Sequence, residues 1–517
     1  MRGEKIYMRK AKLFLMNSII LSITSLLLRT IGVSFNVYIS QKIGLSGMGL
    51  IEIIMSVFTF AVILAISGVG LASTRLVAEE LASNSHSGIY KAMHKCIVYS
   101  LIFGVSAAIL LFISSNFIGT YLLKDARVIK SLQLLSICLP FISVQSALYG
   151  YFTAVRRVVV SATVQIIEQF VKIGLTVYLL NMFISKGIEY ACLALIGAAC
   201  ISEMLSFFML YVCYVFDKRR FKPKDLAPQN ITKRMLAISL PIAFSSYVCT
   251  ALCTVKSLMI PLGLVKFGLT RDDALAQFGV ISAMVMPIIL FPSAFLSAFS
   301  SLIVPEITEC YRLNNTKRIN YIITRAFQIT LIFSIGIIGI FLKFPYEFSM
   351  VIYKNIQIGV YIQILAPLIL IMYLDSVVDA MLKGLNQQVS SMYFNIIDSA
   401  LSIVMVYFLL PLFGIKGLLF VMFLSKLFNT FLSVNKIIKV TDFKIDFISW
   451  AIKPLIAIFI SVTFVKIMTR VLHIGYNSSA LMLISYVAFS ILVYVFLLRI
   501  MQCITKADLL SVKKMFK

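Results

Sequence analysis

Apolar stretches of about 20 residues recur along this 517-residue chain, and each is long enough to cross a bilayer as a helix. Inside hydrocarbon every backbone N–H and C=O must find its partner within the protein, which leaves only helices and closed barrels. The runs are about twice the length of a barrel strand, so the pattern predicts an all-α polytopic membrane protein. Spans are expected at 13–39, 47–73, 95–119, 131–154, 161–184, 190–215, 236–262, 276–305, 327–344, 357–383, 390–412, 416–437, 450–472 and 480–500, fourteen in all. A mean hydropathy of +0.98 with only 13% charged residues excludes an ordinary soluble domain. The longest polar interval, 216–235, is too short to hold a catalytic domain. The basic start (Arg2, Lys5, Arg9, Lys10, Lys12) leads into a run too long for a cleaved signal and reads as an uncut first span.

The net charge of +26 reads as topology rather than nucleic-acid binding. With the N-terminus cytoplasmic, most of the 47 Lys and Arg fall in cytoplasmic segments, which is the positive-inside bias and puts both termini inside. The segment Asp217-Lys-Arg-Arg-Phe-Lys-Pro-Lys-Asp225 is the most basic in the chain and suits contact with anionic headgroups. Nine cysteines, with no CxxC pair, read as small buried apolar residues, Cys249 and Cys253 included. With only His86, His94 and His473, no metal site is expected.

The chain repeats itself at an offset of 230 residues. Leu101-Ile102-Phe103 matches Leu331-Ile332-Phe333, and Gln165 to Glu168 matches Asn395 to Asp398. Lys95, Lys124 and Gln133 match Arg325, Lys354 and Gln363, and Gly49 and Glu79 match Gly279 and Glu309. Polar matches held in one register over 100 residues indicate duplication. Six spans per copy return the chain to the same side, so the repeats are parallel. The expected organisation is a lobe at 1–215, a basic cytoplasmic linker at 216–235, a second lobe at 236–440, and two extra spans with a tail at 441–517. Pro287 and Pro292 in span eight and Pro367 in span ten are tolerated kinks or hinges.

Charges inside the spans are the functional candidates, because each is costly unless it faces protein, water or an anion. Arg29 and Lys256 sit on the first helix of each half. The alternatives are a substrate cavity or an internal ion pair, with Glu52 the partner for Arg29. Glu52 and Arg75, on the second helix of the same pair, complete the substrate set. Arginine suits phosphate because its planar fork takes two oxygens at once. Among the acids, Glu168 and Lys172 share a face at i,i+4 and can neutralise each other, and Glu203 lies on span six. Asp375 and Asp379, also i,i+4, repel unless one is protonated or a cation lies between them. With Asn395, Asp398 and Glu168 they are candidates for proton or sodium coupling; interhelical polar contacts are the alternative, and Lys426 is placed to neutralise one acid. No cofactor is required, and the coupling ion stays open.

Gly44-Leu-Ser-Gly-Met-Gly-Leu50 and Ser67-Gly-Val-Gly-Leu-Ala-Ser-Thr-Arg-Leu-Val-Ala-Glu-Glu80, with Phe291-Pro292 through Ile303-Val-Pro-Glu-Ile-Thr-Glu309, resemble the helical pairs of a known family. This is the stage V sporulation protein B-like branch of the multidrug/oligosaccharidyl-lipid/polysaccharide exporter superfamily, related to lipid II flippases, and the resemblance covers essentially the whole chain. It implies a two-lobed bundle with a central cavity lined by spans one, two, seven and eight. It also implies a cationic first span facing a polyprenyl pyrophosphate, the role Arg29 would take, and a lipid-tail groove formed by the last two spans, near Lys466 and Arg470. Having only one arginine in its first span, this chain departs from the lipid II branch. Some relatives hold sodium between spans seven and eleven; Asn395 and Asp398 lie on the latter, but span seven has no acid to complete the set.

The function implied is a flippase carrying a polyprenyl-pyrophosphate-linked glycan, a peptidoglycan precursor for spore cortex, from inner to outer leaflet by alternating access. Its partners would be that lipid, membrane lipids and cell-wall synthesis proteins, with no nucleic acid. A cation-coupled multidrug antiporter is the runner-up, disfavoured because spans one and seven carry bases where it needs an acid. An embedded glycan polymerase would need acidic loops, and a scaffold would leave Arg29 unexplained.

Overall fold

A computed structural model describes residues 2–83, 85–221, 230–441, 448–471 and 480–503, with side chains from residue 24 onward except 302 and 469–471. Among the described residues there is helix and no strand. The helices are α1 (Arg2–Ile66), α2 (Val69–Ala82), α3 (His86–Phe117), α4 (Ile129–Ser136), α5 (Leu139–Ala154), α6 (Val158–Phe183), α7 (Ile188–Lys218), α8 (Ile231–Lys266) and α9 (Arg271–Gly279). They continue as α10 (Met286–Leu290), α11 (Ser293–Arg312), α12 (Thr316–Lys343), α13 (Pro345–Tyr353), α14 (Ile356–Leu365), α15 (Leu368–Gly384), α16 (Gln388–Val440), α17 (Lys453–Val471) and α18 (Ala480–Ile500).

Ten of the described helices are long and apolar enough to cross a membrane, or twelve if each bent pair, α4–α5 and α14–α15, is one span. Fourteen is therefore not reached by this count. Two stretches, Thr24–Ala82 and Gln388–Val440, have 59 and 53 residues, where about 20 cross a bilayer, so each holds more than one crossing. The chain turns inside them at Gly44 (φ 71) and Gly414 (φ 55).

The duplication shows in the backbone. Lys124 and Lys354 both adopt left-handed φ, 53 and 55, and so do Arg156 and Asn386, 60 and 59. Ser85 and Asn315 cap α3 and α12 through the amides of Gly88 and Arg318. Asp125 and Asn355 accept from the amides of Arg127 and Gln357. Each pair is 230 residues apart, and left-handed non-glycine residues are uncommon enough to mark one inherited chain path.

Two compact units form, 1–279 with 403–415, and 280–402 with 416–517. They do not coincide with the halves of the sequence, because α8 and α9 pack into the first. The cause is close backbone contact. A Cβ on Gly49 would overlap the carbonyl oxygen of Leu275, and one on Gly279 would stand 2.7 Å from that of Leu45, so no larger residue fits at either place. The contact is reciprocal, since 45 and 275 are also 230 apart. Thr254 adds a hydrogen bond to the Ser56 carbonyl at 3.1 Å, and the Tyr247 hydroxyl one to Ser67 at 2.7 Å.

The start of the basic linker is pinned: the buried Asp217 accepts from Tyr151 at 2.9 Å and pairs with Arg157 at 2.5 Å and Arg220 at 3.3 Å. Its middle, 222–229, lies outside the described residues. In the second unit α17 and α18 pack on α12, where the Tyr494 hydroxyl donates to the Ile332 carbonyl at 2.8 Å. Cysteine is a correction. Cys138, at the α4–α5 break, pairs with Cys200 of α7 (Cα–Cα 5.7 Å), because the bend turns it toward that helix. Outside that pair, Cys253 is exposed.

Candidate transport site

The sequence candidates separate into groups. In the first unit Arg29, Glu52 and Lys256 are half-buried on α1 and α8. The pairing of Arg29 with Glu52 does not form: among the described residues, Glu52 has no salt bridge. Lys256 likewise faces no carboxylate in a salt bridge among the described residues. A half-buried ammonium in a membrane bundle is costly unless it faces water, protein dipoles or an anion. Arg75 differs, being exposed and joined to Glu79 at 3.0 Å in an i,i+4 pair. Glu79 and the buried Glu80 also bind Arg234 at the start of α8, at 2.5 and 2.8 Å. Glu168 lies beside Glu203 of α7, with Lys172 acting at a distance rather than through a closed ion pair.

In the second unit the remaining acids fall into three polar groups. Asp375 on α15 receives Lys426 at 3.5 Å and the Asn429 amide at 3.2 and 3.3 Å, and that amide also reaches Asn395 at 3.1 Å. The buried Asp398 accepts from Ser425, which accepts from Ser402 at 2.8 Å. Asp379 turns to Lys383 at 2.6 Å and to Ser391. Each of the i,i+4 acids thus has its own lysine, which relieves the repulsion without an ion between them. Sequence reading missed Asn429, Ser425 and Ser402; the signal was a run of amide and hydroxyl residues beside Lys426 in an otherwise apolar span. Lys466 is half-buried on α17, and the side chain of Arg470 lies outside those described.

A third cluster was also missed, at the loop between α3 and α4. The buried Asp125 accepts from Arg127 at 2.9 Å twice and from Arg271 of α9 at 3.2 Å. Arg271 also donates to the carbonyls of Lys124, at 2.5 Å, and Leu123, and Arg127 reaches Asp272 at 3.1 Å. Burial pushes the Asp125 carboxyl up, but the hydrogen bonds and charge of Arg127 and the charge of Arg271 outweigh it, holding the group below the usual carboxylate range.

Residues 14–311 match the family described as polysaccharide biosynthesis protein. The chain belongs to that family. It is 25% identical over 507 residues to stage V sporulation protein B of Bacillus subtilis (strain 168), covering 96% of this chain and 97% of that one. It is 22% identical over 410 residues to lipid II flippase MurJ of the same organism, covering 72% and 73%. Among solved structures it resembles lipid II flippase MurJ in an inward closed conformation (TM-score 0.67, 15% identity, 93% and 98% covered). It also resembles an inward-facing multidrug resistance MATE family transporter of the MOP superfamily (TM-score 0.62, 13% identity, 82% and 98% covered). Two of these are named as a flippase and a transporter, and the likeness to the solved structures shows a shared fold: this chain is a multi-pass helical membrane protein of the polysaccharide biosynthesis family.

Proposed function

We propose that the protein is a flippase that carries a polyprenyl-pyrophosphate-linked glycan precursor from the inner to the outer leaflet by alternating access. The observation that carries this reading is Lys256: a half-buried cation on α8 with no salt bridge among the described residues. A pyrophosphate entering beside it supplies the missing counter-charge, and Arg29 on α1 supplies a second cationic contact of bidentate geometry. The likeness to stage V sporulation protein B and MurJ supports lipid II as the cargo and spore cortex as its destination. Both termini are cytoplasmic in this scheme, and cell-wall synthesis proteins receive the product.

The residues need only replace water around charged oxygens during passage, so no covalent step is required. The membrane potential favours inward return of a positively lined empty carrier. Asp375 with Asn395, and separately Asp398 with Ser425 and Ser402, offer hard oxygens to a coupling cation. The deciding experiment measures leaflet exposure of lipid-linked precursors in cells depleted of the protein. Accumulation of lipid II in the inner leaflet is expected; unchanged distribution of lipid II and of other polyprenyl-linked glycans sinks the proposal.

A further inference from the structure

The Asp125 cluster is more than a helix cap, and the duplicated half supplies the comparison. At the matching loop, Asn355 accepts from the Gln357 amide at 2.9 Å, so an amide side chain is enough for that turn. Asp125 makes the same contact, at 3.0 Å to the Arg127 amide, and uses its charge elsewhere, on Arg127 and Arg271. Arg271 opens α9 and spends its other nitrogens on the carbonyls of Leu123 and Lys124. One guanidinium therefore ties the first turn of α9 to a loop nearly 150 positions earlier in the chain.

Beneath that tie, α9 lies backbone to backbone on α1 at Gly49 and Gly279. Immediately beyond it the helix loosens into a π-helical stretch, Val280–Val285, followed by Pro287. π-Turns and prolines are where long helices bend. The segment is thus tied at its first turn, packed through Gly279 at its last, and followed by a pliable stretch.

The geometry points to an outer latch: Asp125, acting through Arg271, holds α9 against the α3–α4 loop and keeps that end of the first unit shut until the pair parts. This rests on the transport reading and on its orientation, which places the loop at the outer face. Asp125 and Arg271 are positioning residues that touch no cargo. The latch gives an exporter a fixed resting state, since opening outward requires one buried carboxylate to give up a guanidinium.

The test uses Ala274→Cys as reporter, a fully buried position on α9, with a membrane-impermeant maleimide added outside intact cells. In the otherwise unchanged protein this thiol should react slowly. Asp125→Asn, which retains the cap that Asn355 shows an amide can make, should raise the labelling rate by about tenfold, and so should Arg271→Gln, which leaves the Asp125–Arg127 pair intact. Asp272→Asn, which removes only an exposed partner, should leave the rate unchanged. The buried Cys96, toward the opposite end of α3 from this loop, reports unfolding and should stay unreactive. Parent-like labelling in both Asp125→Asn and Arg271→Gln overturns the latch, as does Cys96 reacting in step with the introduced thiol. No lipid-linked substrate enters the measurement, so the latch can fail while precursor flipping stands, and the reverse.

Discussion

An ammonium held at partial burial without a carboxylate is unusual inside a membrane bundle, and among the described residues Lys256 is such a group. Replacing it with methionine keeps the stem and removes the charge. Precursor exposure at the outer leaflet should fall by about tenfold while protein remains in the membrane. Arg29→Ala should abolish exposure, and Arg29→Lys should recover only part of it because the two-oxygen fork is lost. Full activity of Arg29→Ala would remove that residue from the site. The Asp375–Lys426 pair calls for a different experiment. Lys426→Met leaves Asp375 with only amide donation from Asn429 and should cost about 1–2 kcal/mol, with Asp375→Asn in the same molecule restoring most of it. Additive losses would show that the two never interacted. Charged side chains within apolar runs were legible in the sequence because their cost makes them conspicuous. Which partner each takes was not: Arg29 and Glu52 lie on either side of the Gly44 turn, and that turn decides what they face.

Contact of α1 with α9 depends on the absence of side chains at two positions. Gly49→Ala puts a methyl group into the Leu275 carbonyl and should lower the thermal midpoint through about 1–3 kcal/mol of overpacking. Gly32→Ala meets nothing within 4 Å and should be neutral or raise it by up to about 1 kcal/mol, as helix propensity alone dictates. Equal effects in thermal unfolding of the two variants would mean that the close approach does not hold. The offset of 230 could be read from Lys124 and Lys354 as letters, and the shared left-handed backbone at those positions explains why the match survives. The Asp125 cluster escaped notice because its members are 146 positions apart and each alone resembles an ordinary loop charge. Cys138 and Cys200 escaped for a related reason, since a bend between α4 and α5 brings them together and no spacing announces it.

At the scale of the whole molecule, acid reaches the buried carboxylate at 125 only after ordinary exposed carboxyls have taken their protons. Its value is held below that of an exposed carboxyl, so its contribution is complete above the ordinary carboxylate range near about pH 4 and is lost as pH falls through the lowered value. The groups facing it are Arg127 and Arg271, with Asp272 beyond. Wild-type protein should therefore unfold at higher temperature than Asp125→Asn at pH 7, with the gap closing once the pH falls below the ordinary carboxylate range. A constant gap would show that the carboxylate's charge is not what stabilises the loop. Orientation has its own check: reporter fusions at both ends should be active only in the cytoplasm, and an external C-terminus would contradict the charge bias. The all-helical membrane class was plain from hydrophobic length alone, but the allegiance of α8 and α9 was not, because it is set by glycine contacts that do not alter hydropathy.

The crossing of Gly49 on Leu275 and Gly279 on Leu45 has a genealogical meaning. When residue i of one copy touches residue j of another and the converse also holds, the contact is isologous and a dyad runs through it. A protein half this length, pairing with its own twin, would have met itself at that glycine. Fusion of two such genes would leave a seam of this kind in place.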